Sequence, residues 1–542
     1  MTRLFSPTIL VSIFLTLSIT IIPLTYGNDD NCVKQYFDQN SFVCVCNISD
    51  CRSIEPATPV PKGFIFTWES SQDQHRFHRT ERSTKDLPRN EVIMETSGSS
   101  LIRVRLLPHD QRQTIVGFGG AFTDATGYNL LDLPANLSDH IMQDYFSRTG
   151  LDYSLARVPI GGTDFSNRLY TYNDNQDGDF ELKNFALQPE DTQLKIPMIE
   201  RAQELKEGRL KLLGSAWSPP AWMKTNNDIK GNGFLKGVPG GPYYKAWAKY
   251  HVKFLEAYAR AGINFWGITT GNEPTNAIIN EDFFFNCLGM TPELLRDYVK
   301  LDLGPTLRDA GYGTDKLQVL LHDEVRQFMP NYTEAVLFDE EAASFVTGIG
   351  FHWYRHGAKD FFENLERAHE NFADKLLLGT EACEGWQRFS SRRAQLGNWT
   401  RAETYAVDII KGLQRYSSGW LDWNLALNTK GGPSWAENWT DGLILVDAES
   451  ATYYRNPMFY SLGHFSKFIP PGSIYIGHEI HGNDTGVLLA SFIDPADQVV
   501  MVVLNTNDEP VDLVVDGFAE ASVPIKMDAH SIKTLVTPKA LA

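Results

Sequence analysis

Eight short apolar runs, separated by longer amphipathic stretches, fill the middle of this 542-residue chain, and that rhythm restricts the folds open to it. The runs are Thr114 to Gly120, Ser154 to Ile160, Leu210 to Ala216, Phe265 to Thr270, Leu317 to Leu321, Val346 to Trp353, Leu376 to Thr380 and Trp420 to Leu427. Strands that are apolar throughout are buried on both faces, as happens when helices cover a parallel sheet. Eight is the number that a closed (β/α)8 barrel requires. The helices between them are punctuated accordingly. Thr291-Pro292-Glu293 supplies a capping hydroxyl, a first-turn proline and an acid near the positive end of the dipole, before an apolar face of Leu294, Leu295, Tyr298 and Val299. Gly262 ends the preceding helix, whose apolar face runs through Trp247, Tyr250, Phe254 and Tyr258.

The flanks have a different texture. Leu101 to Leu106 alternates apolar and charged residues, Gly63 to Trp68 reads as a further strand, and beyond residue 470 come Val487 to Ala490, Val499 to Leu504 and Val511 to Val515, separated by turn residues. The expected fold is therefore α/β: a TIM barrel over 111–427 plus 457–472, with an accessory antiparallel β-sandwich built from 58–110 plus 473–542.

Arg3 followed by the apolar stretch Ile9 to Leu17, with small Thr25 and Gly27 before Asn28, reads as a signal peptide over 1–27. Cysteine usage agrees with export. Cys32, Cys44, Cys46 and Cys51 crowd into one segment, and four cysteines allow three disulfide pairings that spacing alone does not rank. Sequons stand at Asn47, Asn136, Asn331, Asn398, Asn438 and Asn483. A formal net charge of -18 argues against nucleic acid, whose phosphates want clustered Lys and Arg, and it is compatible with an enzyme working in an acidic compartment, where carboxylates lose charge. No metal site and no cofactor is expected.

In a barrel of this kind the residues just past each strand face the site. They include Asp164, Trp217, Asn272 and Glu273, the group His322, Asp323 and Glu324, then His352 and Tyr354, Glu381, and Asp422, Trp423 and Asn424. Carboxylates and amides grip hydroxyls, and indoles pack against the C–H face of a pyranose. Glu273 and Glu381 end the fourth and seventh strands, nearly opposite each other, so they can flank one glycosidic bond. Carboxyls about 5 to 5.5 Å apart retain configuration through a covalent ester, whereas about 6.5 to 9.5 Å indicates inversion. Glu381 is read as nucleophile and Glu273 as general acid, then base, with Asn272 on the sugar 2-hydroxyl. Asp323 and Glu324 are rival carboxylates, read as capping or pairing within a loop. His352 is read as packed and hydrogen-bonded, Tyr354 as either orienting Glu381 or packing, and Cys383 as a small buried residue.

The segments FGGAFTDA, RVPIGGTDFS, WSPPAWMKTN, TGNEP, HWY, TEAC, DWNLALN, GGPSWAEN and GHFSKFIPPGS, with CVCN in the cysteine cluster, resemble the glucosylceramidase (acid β-glucosidase) family of retaining glycoside hydrolases across essentially the whole mature chain. That resemblance implies a retaining β-glucosidase acting on glucosylceramide in membranes at acid pH, in the lysosome lumen or secreted. It implies help from a saposin-type activator protein and anionic lipids, and sorting by a lysosomal receptor. It matches Glu273 to the acid/base and Glu381 to the nucleophile. Asp164, Trp217, Asn272, Trp423 and Asn438 match glucose-binding residues, and Arg157 an arginine supporting the carboxylates. It implies disulfides Cys32–Cys44 and Cys46–Cys51, in a small β segment over 28–57 that packs with about 428–456. Asn438 lining the pocket would leave its sequon silent, so Asn47, Asn136, Asn331, Asn398 and Asn483 remain as glycan sites. Gly271 stands where vertebrate members carry an acid, Phe283 where they carry a tyrosine, and Arg355-His356 where they continue with apolar residues, so the rim departs from the family while the glucose pocket does not. Phe283-Phe284-Phe285 is read either as a platform for ceramide or a bilayer, or as a buried loop anchor.

Overall fold

The computed structural model describes residues 32–87, 101–280, 282–354, 359–387, 393–519 and 521–539; the export segment read over 1–27 and Arg355-His356 lie outside them. Eight parallel strands close into a barrel: β1 (Gly117–Ala121), β2 (Leu155–Ile160), β3 (Lys211–Ala216), β4 (Gly267–Thr269), β5 (Gln318–Val325), β6 (Gly348–His352), β7 (Leu376–Glu381) and β8 (Ser417–Asn424), each paired with the next and β8 returning to β1. The bottom of the barrel is filled by Leu155, Leu213, Leu320, Leu378 and Leu421, all without exposed surface. This layer closes the cylinder and leaves the chemistry to the other end. Close strand packing there needs glycine: a Cβ on Gly119 would lie 1.6 Å from the Leu155 carbonyl oxygen.

Three apolar runs divide differently from the reading above. Thr114 belongs to Ile102–Thr114, a thirteen-residue strand of the sandwich, and β1 starts only at Gly117. The run ending at Leu427 is two strands, because Ala426–Asn428 leaves the barrel and pairs with Ile444–Asp447 in a second sheet. β5 extends past Leu321 to Val325, so His322, Asp323 and Glu324 lie in the strand rather than in a loop. Their polarity suggested a loop, but in a barrel mouth polar side chains satisfy one another across neighbouring strands.

Nine strands form the accessory sheet, in the order Val523–Met527, Val511–Asp516, Ile102–Thr114, Ile474–His481, Val487–Ile493, Gln498–Asn505, Ser531–Pro538, Phe64–Ser71 and His78–Ser83. It is antiparallel except where Val511–Asp516 runs parallel to Ile102–Thr114, two segments far enough apart in the chain for a crossover. The sheet folds over its own core. Val499, Met501 and Val503 face that inner core, while Val500, Val502 and Leu504 face the main core shared with the barrel, which is the two-residue period of a strand buried on both sides. Between sheet and barrel runs the helix Pro457–Ser466, every residue of it buried. A five-stranded sheet joins Val33–Tyr36 and Phe42–Asn47 to Thr452–Arg455, Ile444–Asp447 and Ala426–Asn428. It carries the disulfides Cys32–Cys44 and Cys46–Cys51, and Cys287 and Cys383 are free and buried. None of the helices among the described residues is long and apolar enough to cross a membrane.

Candidate active site

A cavity of about 400 Å³ opens at the C-terminal ends of the barrel strands, with Glu273 and Glu381 in its wall. One carboxylate oxygen of each glutamate and one ring nitrogen of His352 lie within 4.8 Å of one another. So close an approach fits the near pair of carboxyls that double displacement uses.

Each glutamate is held differently. β7 delivers Glu381 at its last residue, where the Arg157 guanidinium of β2 contacts Oε2 and the Tyr354 hydroxyl donates to Oε1 at 2.7 Å. Glu273 sits past the three-residue β4, in a turn where its own φ is +43° and that of Gly271 is +133°, the latter a conformation suited to glycine. Its Oε2 accepts from the Asn276 amide at 2.6 Å and its Oε1 lies 3.0 Å from His352 Nδ1. Burial raises the Glu381 carboxyl above its usual value and the neighbouring Glu273 adds to that, while His352, Arg157 and the Tyr354 hydroxyl pull it back down.

Asp323 ties these parts together, which corrects its reading as a local loop residue. Wholly buried on β5, it accepts at Oδ2 from Arg157 (2.7 Å), Ser215 (2.6 Å) and Thr269 (2.7 Å), and its Oδ1 accepts from Thr380 (2.7 Å) and lies 3.1 Å from His352 Nε2. Burial works against its charge, yet Arg157 and His352 hold it well below the usual carboxylate range. His352 in turn is pushed down by burial but lifted to about 10 by the charge of Glu381 and its bonds to Asp323 and Glu273. It is therefore an imidazolium that donates from both nitrogens. Though Glu273, His352 and Glu381 have the spacing of a cation site, a ring protonated on both nitrogens has no lone pair for a metal.

Glu324 likewise lies in the strand and not in a loop: it is 2% exposed, lines the cavity and is raised by burial and by Glu273 to about 7. The residues matched to sugar binding converge on the same cavity. Asp164 lies after β2, its carboxylate accepting from the Asn438 amide at 2.8 Å, and burial raises it to about 7. Trp217 and Trp423 stack at 5.1 Å and 23°, with the Arg157 guanidinium 4.8 Å from the Trp217 ring. Asn272 Oδ1 accepts from the Arg157 guanidinium at 2.7 Å. Asp422 and Asn424 lie outside this group, because alternate residues of β8 face outward or along the barrel; Asp422 takes the Tyr405 hydroxyl of an outer helix and Asn424 that of Thr123. Phe284 and Phe285 line the cavity, Phe285 being buried, so the aromatic run serves partly as anchor and partly as wall. The sequence reading missed Asn276, Trp386 and Thr440. Only Asn276 left a trace there, as an amide three residues beyond Glu273.

Residues 115–469 match the glycosyl hydrolase family 30 TIM-barrel domain and residues 472–535 its beta sandwich domain. The chain is 40% identical to mouse (Mus musculus) lysosomal acid glucosylceramidase over 497 residues, covering 91% of this chain and 93% of that protein. The crystal structure of SrfJ from Salmonella typhimurium superposes with a TM-score of 0.77 at 27% identity, covering 88% of this chain and all of that one. An endo-β1,6-glucanase shares the fold at a TM-score of 0.73 and 24% identity, with coverage of 88% and 100%. Two paired carboxylates at the ends of β4 and β7, within a chain matched along nearly its whole length, make this protein a member of glycosyl hydrolase family 30, a family of retaining glycosidases.

Proposed function

We propose that the protein removes glucose from glucosylceramide presented by membranes, with Glu381 as nucleophile and Glu273 as general acid and then base. The observation that carries the roles is the asymmetry of donors around two carboxyls that bring one oxygen each within 4.8 Å. Glu381 takes the Arg157 guanidinium, which Asp323 shares, and the Tyr354 hydroxyl, donors that favour its carboxylate as the attacking group; Glu273 takes an amide and a share of an imidazolium that Asp323 also holds. Glu381 attacks the anomeric carbon as the Glu273 proton passes to the departing oxygen, giving a glucosyl ester. Esterification removes the negative charge beside Glu273, which then takes a proton from the water that cleaves the ester. Arg157 holds Oδ1 of Asn272, which leaves the amide N–H for the sugar 2-hydroxyl. Asp164 with Asn438 receives the outer hydroxyls over the Trp217–Trp423 pair.

Similarity to the mouse lysosomal enzyme supports the substrate and a lysosomal or secreted location. Exposed Ile278 and Ile279, with Phe284 at the cavity wall, are an apolar rim suited to ceramide chains. A saposin-type activator, anionic lipids and a sorting receptor complete this reading. Asn136, Asn331 and Asn483 are exposed and suited to glycans, Asn47 is half-buried, and Asn398 caps the helix Trp399–Leu413. The test is mass spectrometry after incubation with a cyclophellitol-type inactivator, together with turnover of glucosylceramide in vesicles beside a panel of aryl glycosides. A label on Glu381 and preference for the glucoside are expected; a label elsewhere or preference for a xyloside or fucoside would overturn the roles or the substrate respectively.

A further inference from the structure

Glu324 is buried at the cavity wall, and the double displacement makes no use of it. Its carboxylate nevertheless crosses from β5 to the turn after β4. Oε2 accepts from the Thr275 backbone N–H at 3.0 Å and from the Thr275 hydroxyl, while Oε1 accepts from the Val325 N–H at 2.8 Å. Thr275 lies two residues beyond Glu273 in the segment whose left-handed backbone is costly to hold. Backbone bonds also tie that segment to its neighbours and to itself: the Asn272 N–H donates to the Ala216 carbonyl at 2.9 Å, the Glu273 N–H to the Asp323 carbonyl at 3.0 Å and the Asn276 N–H to the Glu273 carbonyl at 3.1 Å, while Glu324 adds a side-chain tie at Thr275.

β5 is shaped for this purpose. His322 and Asp323 have φ of +81° and +53°, and the pairing with β6 slips between His322 and Glu324. A regular strand sends consecutive side chains to opposite faces, but a bulge lets Asp323 and Glu324 both serve the mouth. Asp323 then gathers Arg157 and His352 while Glu324 reaches Thr275. Either protonation state of Glu324 leaves Oε2 an acceptor, so the grip persists in acid.

We propose that Glu324 is a positioning residue for Glu273, clamping its strained turn through Thr275 so that the acid meets the departing oxygen. The proposal rests on the reading of Glu273 as acid/base. The test compares Glu324→Ala, Glu324→Gln and Thr275→Val with the native enzyme on an alkyl β-glucoside, which needs a proton to depart, and on 2,4-dinitrophenyl β-glucoside, which does not. Glu324→Ala should lose about 10²-fold in kcat/KM on the alkyl substrate, the cost of a misplaced acid, while largely keeping the dinitrophenyl reaction. Azide should accelerate its dinitrophenyl turnover by replacing the poorly activated water. Glu324→Gln, with one carbonyl acceptor, should recover most of the alkyl activity, and Thr275→Val should fall between. Equal loss on both substrates, or no loss on either, would overturn the clamp; if Glu324→Ala does not fold, the same two outcomes in Thr275→Val decide it. Glu273→Gln run in parallel separates the two claims, because absence of leaving-group dependence there sinks the acid/base role itself, whereas its presence there and absence at Glu324 sinks only the clamp.

Discussion

The barrel mouth and the nine-stranded sheet are built on opposite terms. Gln498–Asn505 pairs in unbroken register with both neighbours, and all eight of its residues are buried, six of them aliphatic or Met. The pairings of β5 with β6, β6 with β7 and β8 with β1 slip in register near the mouth, where buried Asp323, Glu324, His352 and Glu381 gather with left-handed Glu273 and His322. Apolar ladders store stability with little strain. Charged groups held without water cost stability and provide a fixed field for chemistry, and the mouth sets several of them beside left-handed backbone.

That contrast is open to direct attack. Glu381→Gln, at the mouth, should cut kcat by about 10⁴-fold or more, as loss of a nucleophile does, without lowering Tm; a stability loss as large as that of a core deletion would erase the distinction. Met501→Ala, in the sheet's inner core, should do the reverse. It should lower unfolding free energy by about 2 to 5 kcal/mol in denaturant titration and leave kcat unchanged in the folded fraction.

A pH series sharpens the comparison, because most of the strongly shifted groups lie in the barrel. Folding raises Asp164 and Glu324 to about 7, Asp422 to about 8 and His352 to about 10. Each binds its proton more tightly in the folded state, so its contribution is complete below the unfolded value and is lost as pH rises through the folded one. Buried His251 and His322, held down to about 4 and about 3, act oppositely, but only below their unfolded value of 6.5. Tm should therefore fall between pH 6.5 and about 8, and a flat or rising Tm there would contradict the ionisation scheme. The smallest effect is expected at the rim: Phe284→Ser should reduce hydrolysis of vesicle-borne glucosylceramide about tenfold, a little over 1 kcal/mol of apolar contact, and spare a soluble aryl glucoside. Equal loss on both substrates would make Phe284 part of the glucose site.

Much of this was legible in the chain. Val499 to Leu504 is a strand by composition wherever it lands, and Asn272-Glu273 and Glu381 stand at the ends of apolar runs, so both the barrel and its paired acids could be placed by position. Asp323 and Glu324 were not legible, since polar residues after Leu321 look like the end of a strand. Their role depends on Arg157, Ser215, Thr269, Thr380 and Thr275, which come from other segments of the chain.

Sequence alone determined the period of the strands, the placing of two glutamates at the ends of apolar runs and which faces had to be buried, because these follow from local residue order and from what water excludes. Tertiary structure alone decided which carboxyl receives Arg157, that His352 bridges Glu273 and Asp323, and that a bulge in β5 turns two consecutive acids toward one mouth. Those outcomes depend on distances between groups far apart in the chain, and electrostatic energies change with such distances far more steeply than any propensity changes with local sequence.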